Sequence, residues 1–524
     1  MFLDLFVGNP LSRRLAASVV HVVAKRRVKQ LDALDVPAIQ DRTLLGLVRK
    51  AAGTRFGKDH GFDRVTSVTD YQAAVPVRTY EDFWTQYWQD VYPKLEGATW
   101  PDAIPYYALS SGTTSGATKY IPISREMLAS NRTGALTLSS LFLAVTPKSR
   151  LMHGRFFFLG GNTDMRVEAN GSRAGDLSAI AAIEISSLTN PYTFPPKELS
   201  AIADWNVKVV KLAEAAAKLN ITGISGVPAW MLVLFDKLKQ VTGKASVCDV
   251  WPNLELVIHG GTKFDAYREQ FRRELGPAVR FQEVYPCSEG FVAAEDPRHN
   301  MLRVVPDHGI FYEFIPMGEL EDGKLKSDRP VRHTLATLET GQEYAVCLTT
   351  CAGLWSYLLG DTVVFEKKSP PLLRFTGRTK YFLSAFGEHL ISEELEKGIA
   401  AACQATGSSF AEFHAGPVFP TKPNTPGHHR YLVEFAGPPP ADLGHFAAVL
   451  DETLNKLNED YEAHRKNDLS MLKPEIIVVK PGGFLRWMLA HGKTPPQHKV
   501  PRMDNGGEQT KAILGWLTDH GEVA

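Results

Sequence analysis

Residues 110–122 read SSGTTSGATKYIP, and the fold can be worked out from this stretch outward. The aromatic and aliphatic residues of 104–109 precede it, a composition typical of a strand. Ser124 and Glu126 follow it as the N-cap and a first-turn acid of a helix. The stretch is therefore predicted to be a loop that joins a strand to a helix. Such a loop offers backbone N–H groups and short hydroxyls to an anion.

Three residues of the loop add to this chemistry. Gly112 and Gly116 let the backbone come close to a bulky ligand, and Lys119 adds a positive charge. These are the parts of a polyphosphate-binding loop, although composition alone leaves an ordinary Ser/Gly-rich connection open. The usual P-loop of NTPases is excluded. That motif needs a Gly-Lys pair followed by Ser or Thr, whereas Tyr120 follows Lys119 here.

Composition limits the classes of protein that fit. A chain of 524 residues is long for a single core and indicates two or more domains. With 58 basic and 58 acidic residues the formal net charge is zero, which argues against nucleic-acid binding through a basic surface. The five cysteines are scattered, without a CxxC pair or a metal-site spacing. We therefore expect a reduced, cytoplasmic protein without structural zinc.

The N-terminal residues do not match the pattern of a targeting segment. Residues 15–24 form an apolar run with basic residues on both sides, but the run is too short to span a bilayer. Asp4 and Pro10 do not suit a signal peptide. We therefore expect a packed amphipathic helix rather than a membrane anchor.

The middle of the chain alternates between two patterns. Short apolar runs at 156–159, 254–259 and 281–285 alternate with helical stretches such as 199–220, which predicts a largely parallel sheet with helices on its faces. Residues 221–230 begin as a further strand and enter a helix at Pro228. Residues 309–364 are rich in strands separated by charged turns, and we expect antiparallel sheet there. From about Thr379 onward, short strands and helices predict a small α+β region.

Two acidic stretches come at the ends of predicted strands. Residues 285–290 read YPCSEG, and Glu289 at the carboxyl edge of a parallel sheet suits Mg²⁺ held on phosphates. Tyr285 can cover a base ring. Residues 357–362 read YLLGDT, in which the carboxylate of Asp361 can accept two hydrogen bonds from a ribose diol. Each stretch alone also fits a solvated strand end or a surface hairpin turn.

The order and spelling of these stretches resemble one family. Residues 110–122 are similar to the first motif, SSGTSxGxxKxxP, of the Gretchen Hagen (auxin-responsive promoter) acyl-acid amido synthetases, with Thr114 in place of Ser. YPCSEG resembles the second motif, YxSSE, with Cys287 replacing the first Ser and with Ser288 and Glu289 retained. YLLGDT resembles the third, YRLGDV, with Leu358 replacing Arg. The family belongs to the acyl-adenylate-forming enzymes.

Three further stretches match the same resemblance. FTGRTK at 375–380 resembles the hinge segment of adenylate-forming enzymes, with Arg378 reaching the ribose and Lys380 at the pivot. Residues 259–262, HGGT, resemble the glycine pair against which adenine lies, here Gly260 and Gly261. Residues 497–502, QHKVPR, resemble the C-terminal signature, in which Lys499 or Lys493 supplies a positive charge.

The resemblance implies a complete set of expectations. It implies an α/β fold with a large N-terminal domain, residues 1–375, which has mainly parallel sheets flanked by helices plus a smaller β-rich part. A small mobile α+β domain, residues 376–524, follows. It implies that ATP and Mg²⁺ are bound, with Glu289 as metal ligand and, with Lys499, as a catalytic residue. The residues expected to bind the nucleotide are Ser110, Ser111, Gly112, Thr113, Thr114, Gly116, Lys119, Gly260, Gly261, Tyr285, Ser288, Asp361 and Arg378.

The implied reaction is adenylation of a small carboxylic acid, followed by transfer of the acyl group to the amine of an amino acid. We expect a monomer that binds these small molecules, without a nucleic-acid or membrane partner. Thioester formation with coenzyme A, or a nucleotide-binding protein without catalysis, remains an alternative, because the ATP site would be the same. A serine hydrolase fits poorly, since GISG at 223–226 lacks the final Gly of GxSxG. The sequence does not identify the acid, the amine or the base.

Overall fold

The computed structural model describes residues 9–110, 118–160, 165–184, 187–202, 205–260, 264–321, 323–379, 382–420, 425–468, 470–491 and 500–524. Within these ranges the α-helices are α1 (Pro10–Asp32), α2 (Val36–Ala51), α3 (Arg55–Asp59), α4 (Val68–Ala74), α5 (Tyr80–Phe83), α6 (Arg125–Val145), α7 (Leu177–Glu184), α8 (Lys197–Ser200), α9 (Trp205–Ala216), α10 (Pro228–Thr242), α11 (Val247–Val250), α12 (Asp265–Leu275), α13 (Ser392–Thr406), α14 (Leu443–Leu457), α15 (Glu459–Arg465), α16 (Gly483–Ala490) and α17 (Glu508–Asp519). Short 3₁₀ turns lie at Phe62–Arg64, Leu151–His153, Ser187–Tyr192, Met317–Glu319 and Lys466–Asp468, and a π-helical turn at Trp84–Trp88.

The strands are β1 (Tyr106–Ser110), β2 (Lys119–Ile123), β3 (Arg155–Phe158), β4 (Arg166–Val167), β5 (Arg173–Gly175), β6 (Thr193–Phe194), β7 (Ile221–Ser225), β8 (Leu256–His259), β9 (Arg280–Cys287), β10 (Gly290–Asp296), β11 (Met301–Val304), β12 (Ile310–Pro316), β13 (Leu320–Glu321), β14 (Lys324–Leu325), β15 (His333–Thr334), β16 (Glu343–Thr350), β17 (Tyr357–Lys367), β18 (Leu372–Arg378), β19 (Phe382–Leu383), β20 (Leu390–Ile391), β21 (Phe410–Val418), β22 (His428–Phe435) and β23 (Glu475–Val479).

One twelve-stranded sheet runs through most of the chain, in the order β15-β12-β16-β17-β18-β11-β10-β9-β8-β7-β3-β6. The strands β9, β8, β7, β3 and β6 pair in parallel, and the others pair antiparallel. The predicted α/β class is therefore confirmed. The predicted β-rich part is also present, and it continues the parallel sheet through the β9–β10 hairpin. That hairpin is the junction at which the direction of pairing changes.

The core follows this division of the sheet. Leu212, Leu234 and Phe271 pack helices α9, α10 and α12 against the parallel strands. A second cluster, which contains Phe56 and Trp355, packs the N-terminal helices against the antiparallel strands. Residues from Leu383 to Met503 form a third cluster around the small sheet β21-β22-β23. The small α+β region predicted from about Thr379 onward is thus a unit with its own core.

Two local predictions around the opening stretch have different outcomes. Ser124 caps α6 as predicted, because its side chain accepts a hydrogen bond of 3.0 Å from the Met127 N–H. The prediction of a loop that leads directly into this helix is wrong. A strand, β2, intervenes and returns antiparallel to β1. Ile121 and Ile123 of β2 are fully buried, which explains why the chain pairs here.

Candidate active site

The β1–β2 hairpin holds the two ends of the predicted phosphate loop. Ser110, the last residue of β1, is paired in register with Lys119, the first residue of β2. The Lys119 ammonium lies 5.5 Å from the centre of the Tyr80 ring, a cation–π contact. The other predicted residues of this loop lie outside the described ranges: Ser111, Gly112, Thr113, Thr114 and Gly116.

Glu289 lies in the tight turn between β9 and β10. The Cys287 thiol donates a hydrogen bond of 3.0 Å to the Gly290 carbonyl and so closes this turn. Cysteine can therefore satisfy this hydrogen bond at the position where the family motif has serine. The neighbouring Ser288 is half-buried in the same turn. Glu289 itself is buried, with 7% of its surface exposed.

The carboxylate of Glu289 has weak support from the protein. Its Oε1 atom accepts a hydrogen bond of 2.9 Å from the Tyr357 hydroxyl, the only described side chain that donates to it. Burial raises the pKa of Glu289, and the positive charge of Lys119 opposes the rise only in part. A buried carboxylate that lacks a strong cationic partner is suited to receive a metal ion or another cation.

Asp361 lies within β17. It does not lie in a surface hairpin turn, which was the alternative interpretation of the sequence. The pairing register between β16 and β17 shifts near this residue. Ala345 pairs with Thr362, whereas Cys347, two residues later, pairs with Leu358. Gly360 adopts a φ of +91°, a conformation that favours glycine. The resulting bulge turns Asp361 toward β18 and β9.

Both oxygens of Asp361 have protein partners. The Arg378 Nε atom donates to Oδ1 at 2.7 Å, and the Tyr285 hydroxyl donates to Oδ2 at 2.7 Å. Asp361 is buried, and it pairs in register with Arg378 across the β17–β18 ladder. Burial, together with the charge of Asp361, holds the pKa of Tyr285 well above its usual value. These three residues, predicted to share one nucleotide site, are therefore directly connected.

Tyr285 is held in a particular orientation by these contacts. Its ring packs edge-on against Phe375 at 5.6 Å between centroids, while its hydroxyl is bound to Asp361. The sequence predicted that Tyr285 covers the adenine base. The structure shows in addition that the Tyr285 hydroxyl is hydrogen-bonded to the Asp361 carboxylate.

Gly260 is required by the packing of two strands. A Cβ atom at this position would lie 2.5 Å from the Val284 carbonyl oxygen, so a larger residue would push β8 away from β9. The glycine therefore has a structural reason to be present that does not depend on a ligand. Gly261, the second residue of the predicted adenine slot, lies outside the described ranges.

Four separate segments of sequence meet at this place. The charge of Glu289 interacts with those of Lys119, Asp361 and Arg378, and that of Arg378 is stabilised chiefly by Asp361. Within the described ranges no group of three or more His, Cys, Asp or Glu residues could hold a metal ion.

The small unit contacts the end of the predicted phosphate loop. Thr118, at the end of the predicted phosphate loop, donates a hydrogen bond of 3.2 Å to Glu459 of α15. Farther away, the Trp230 ring stacks on His464 at 5.6 Å between centroids. Lys380, Lys493 and Lys499 lie outside the described ranges. The last residues of the QHKVPR stretch are described, and the Arg502 carbonyl accepts a hydrogen bond of 2.9 Å from the Ala415 N–H.

Reasoning from the sequence assigned no role to Tyr357 or to Thr118. Tyr357 is the first residue of YLLGDT, so its position at the start of a recognised motif was an available signal. Its contact with Glu289, 68 residues away in the chain, depends on strand order and had no local signal. The contact of Thr118 with the small unit, 341 residues away, likewise depends on the tertiary fold.

Comparison with solved structures defines the class of protein. The chain matches AtGH3.15 acyl acid amido synthetase in complex with 2,4-DB over 96% of both chains, with a TM-score of 0.60 and 20% identity. It also matches 2-hydroxyisobutyryl-CoA ligase in complex with 2-HIB-AMP and CoA over 93% of this chain and 94% of that one, with a TM-score of 0.55 and 14% identity. The chain therefore has the fold of the adenylate-forming ligases.

The sequence comparisons identify the family within this class. The N-terminal, central and C-terminal domains of the GH3 family match residues 29–208, 303–378 and 393–508. Indole-3-acetic acid-amido synthetase GH3.8 of Oryza sativa subsp. indica is 23% identical, over 95% of this chain and 94% of that protein. Jasmonoyl-L-amino acid synthetase JAR6 of Nicotiana attenuata is 24% identical, over 89% and 91%. The chain belongs to the GH3 family of acyl acid amido synthetases, as the motif resemblance predicted.

Proposed function

We propose that this protein adenylates a small carboxylic acid with ATP and transfers the acyl group to the amine of an amino acid. The observation that carries the proposal is that the charge of Glu289 interacts with those of Lys119, Asp361 and Arg378, which come from three other motifs. These charges suit the triphosphate and ribose of a nucleotide. The family and the names of its relatives support the amide-forming second step.

The first half-reaction needs charge neutralisation and alignment. An oxygen of the substrate carboxylate attacks the α-phosphorus of ATP, an acyl–phosphate bond forms, and pyrophosphate leaves. We propose that Lys119 and the loop of residues 110–119 contact the β- and γ-phosphates. Asp361, oriented by Arg378 and Tyr285, would accept hydrogen bonds from the ribose hydroxyls, since a carboxylate oxygen can accept more than one.

The residues at the site fit one Mg²⁺ ion that is shared with the substrate. Glu289 is a buried carboxylate whose negative charge is under-compensated, and Mg²⁺ is commonly held by one or two carboxylates together with phosphate oxygens. We propose Glu289 as the protein ligand, with Tyr357 orienting its carboxylate. When bound, the ion supplies neutralisation of the phosphate charge.

In the second half-reaction the uncharged amine attacks the acyl carbon. The bond to AMP breaks, AMP leaves, and the amine loses a proton to a base or to solvent. Lys499 stays a candidate for a positive charge near the site, and Lys493 competes with it. The described residues leave the base unassigned.

We propose that the small unit moves as a domain between these steps. The sequence placed the boundary between residues 375 and 376. We now propose it directly after Arg378, because β18 remains paired with the large sheet up to that residue. Lys380 would be the pivot, and the contact of Thr118 with Glu459 would change as the domain turns. We also propose a monomeric protein of the reducing cytoplasm, consistent with five free cysteines.

The test has two stages. Isotopic exchange between ATP and pyrophosphate, screened over aryl, indolyl and fatty acids, should identify acids that are adenylated. The preformed acyl-adenylate is then offered to amino acids and to coenzyme A in separate reactions. Amide formation supports the proposal. Thioester formation without any amide would contradict the second step only, and absence of exchange with every acid would contradict the first.

A further inference from the structure

The outward side of α1 carries apolar residues that the protein does not cover. Leu15 is 68% exposed, Val19 54% and Val22 50%. Their spacing of four and three residues places them on one side of the helix. Val28 and Leu31, on the opposite side, are buried against α6. The prediction of a packed amphipathic helix is therefore right for only one of its two faces.

Basic residues surround this apolar stripe. Arg14, Lys25, Arg26 and Lys29 are exposed, and their helical positions lie beside the stripe or extend it toward the C-terminal end of α1. Within the part of the chain that the structure describes, none of the four forms an ion pair. We call these four residues, together with Leu15, Val19 and Val22, the α1 outer face.

Among the described residues, α1 itself supplies no acid that balances the α1 outer face. The only acid in the helix is Asp32, its last residue. Asp32 is bound by Arg298 at 2.8 Å and by Arg303 at 2.6 Å. These two guanidiniums hold the pKa of Asp32 down to about 2, so its charge is already compensated within the protein. The surface therefore combines exposed apolar groups with unbalanced positive charge, although the whole chain has a net charge of zero.

Exposed apolar side chains next to basic residues favour one kind of partner, an anionic lipid surface. At an anionic lipid surface, cations meet the headgroups while apolar side chains enter the boundary with the acyl chains. A second copy of the same face would bring like charges together, and a nucleic acid would leave the apolar stripe unpaired.

No helix among the described residues is both long and apolar enough to cross a bilayer. We propose that the α1 outer face binds peripherally to anionic lipid membranes. The proposal does not depend on the enzymatic function. It revises the sequence-based expectation of no membrane partner, which rested on the length of the apolar run and did not consider which side of the helix stays exposed.

The experiment measures flotation of the full-length protein with vesicles. Vesicles of phosphatidylcholine alone should bind little protein, whereas vesicles that also contain phosphatidylglycerol should bind it, and added salt should weaken the binding. Replacing Arg14, Arg26 and Lys29 together by Gln should weaken binding about a hundredfold, as expected for three cations near an anionic surface. The triple variant Leu15→Ser, Val19→Ser, Val22→Ser should lose binding even at low salt.

A matched control uses exposed apolar residues elsewhere. Leu485 is 45% exposed and Leu489 51% exposed, both on α16. The double variant Leu485→Ser, Leu489→Ser should bind vesicles as the wild type does. Thermal unfolding of each variant should give a midpoint close to the wild-type value, because the replaced side chains are exposed.

Several outcomes would overturn the proposal. One is absence of binding to anionic vesicles by the wild-type protein and by a variant without residues 1–8. Another is equal loss of binding in the α16 control. A concentration-dependent dimer that the Leu15→Ser, Val19→Ser, Val22→Ser variant abolishes, without vesicle binding, would instead make the α1 outer face an interface between copies.

Discussion

Two buried glutamates, one in each part of the molecule, have opposite surroundings. Glu388 of the small unit is fully buried and accepts hydrogen bonds from the Ala385 N–H at 3.0 Å, the Phe386 N–H at 2.7 Å and the His429 imidazole at 2.6 Å. Glu289 of the large sheet is also buried but accepts from only one described side chain, at 2.9 Å.

The pKa values follow the surroundings. Burial raises the pKa of both carboxyls, but the interaction with His429 outweighs burial at Glu388, whose pKa is lowered. At Glu289 burial prevails and the pKa is raised. Glu388 is thus stabilised as a charged structural group. The negative charge of Glu289 is unfavourable in the folded protein, which we expect of a carboxylate that binds a cation.

The largest expected effect is on stability, at Glu388. Glu388→Ala leaves two buried N–H groups and His429 without their acceptor, and breaking such a buried arrangement costs about 3–5 kcal/mol. We expect a clear fall in the free energy of unfolding, measured with urea. An unfolding transition of the small unit separate from that of the large sheet is also expected, because the two have different cores. Unchanged stability would contradict a structural role for Glu388.

The same residue gives a pH dependence with a definite sign. Because its pKa is lowered on folding, charged Glu388 stabilises the protein above its ordinary pKa of about 4.5, and this contribution disappears as the pH falls through the depressed value. The difference in stability between wild type and Glu388→Gln should therefore shrink in acid. A difference that grows as the pH falls would show that the sign is wrong.

The next largest effect is on activity, at Glu289. Glu289→Gln should reduce kcat/KM for ATP–pyrophosphate exchange by about 10²–10³-fold, the usual loss when one preorganised electrostatic group is removed. It should also raise the Mg²⁺ concentration required. Since the buried charge is unfavourable in the folded protein, its removal should preserve or increase the thermal stability, which is the opposite of Glu388→Ala.

Glu295 offers the matched control for this substitution. It lies on β10, the strand that follows the Glu289 turn, and burial raises its pKa as well. Its carboxylate accepts a hydrogen bond of 2.8 Å from the Glu283 N–H. Glu295→Gln should leave the metal requirement unchanged. Equal effects of the two substitutions would mean that Glu289 has no special relation to the metal.

The sequence predicted the elements of this site better than their connections. The strands β7, β8 and β9 and the Ser124 cap follow from local patterns of apolar residues and capping side chains. The strand β2 was missed because Pro122 and the preceding Ser/Gly-rich residues resemble a continuing loop. The bulge at Gly360 was read as a possible turn, since Gly-Asp is common in both settings.

Contacts between motifs could not be predicted from any one of them. Tyr285 and Asp361 are 76 residues apart in the chain, and three strands separate β17 from β9 in the sheet order, so their hydrogen bond depends on the tertiary fold. The motif resemblance predicted that both contact the nucleotide. It did not predict that one orients the other, which changes how a substitution at Asp361 must be designed.

A smaller effect is expected at Asp361. Replacement by Ala would also leave the Arg378 guanidinium and the Tyr285 hydroxyl without their hydrogen-bond acceptor. Asp361→Asn is therefore the sharper test, because the amide can still contact both groups. Loss of the charged acceptor should raise the KM for ATP about tenfold, as expected when a hydrogen bond to a charged group is weakened. A normal KM for ATP in the folded variant would contradict the ribose assignment.

The smallest expected effect is at Tyr357, which donates to Glu289. Tyr357→Phe removes only the hydroxyl and leaves the buried ring in place. The loss of one hydrogen bond should lower stability by about 1 kcal/mol. Because the carboxylate is then less well oriented, the Mg²⁺ requirement of the exchange reaction should increase several-fold, less than for Glu289→Gln.

The control variant Tyr344→Phe separates the effect on stability from the effect on the Mg²⁺ requirement. Tyr344 is also fully buried, and its hydroxyl donates to Gln342 at 3.0 Å, within the antiparallel part of the sheet. Both substitutions should lower the melting temperature, but only Tyr357→Phe should change the metal requirement. If both change it, or neither does, the Tyr357 hydroxyl acts through stability alone. The assignment of Glu289 as a metal ligand would then depend on the Glu289→Gln variant alone, because Tyr357 would have no part in orienting its carboxylate.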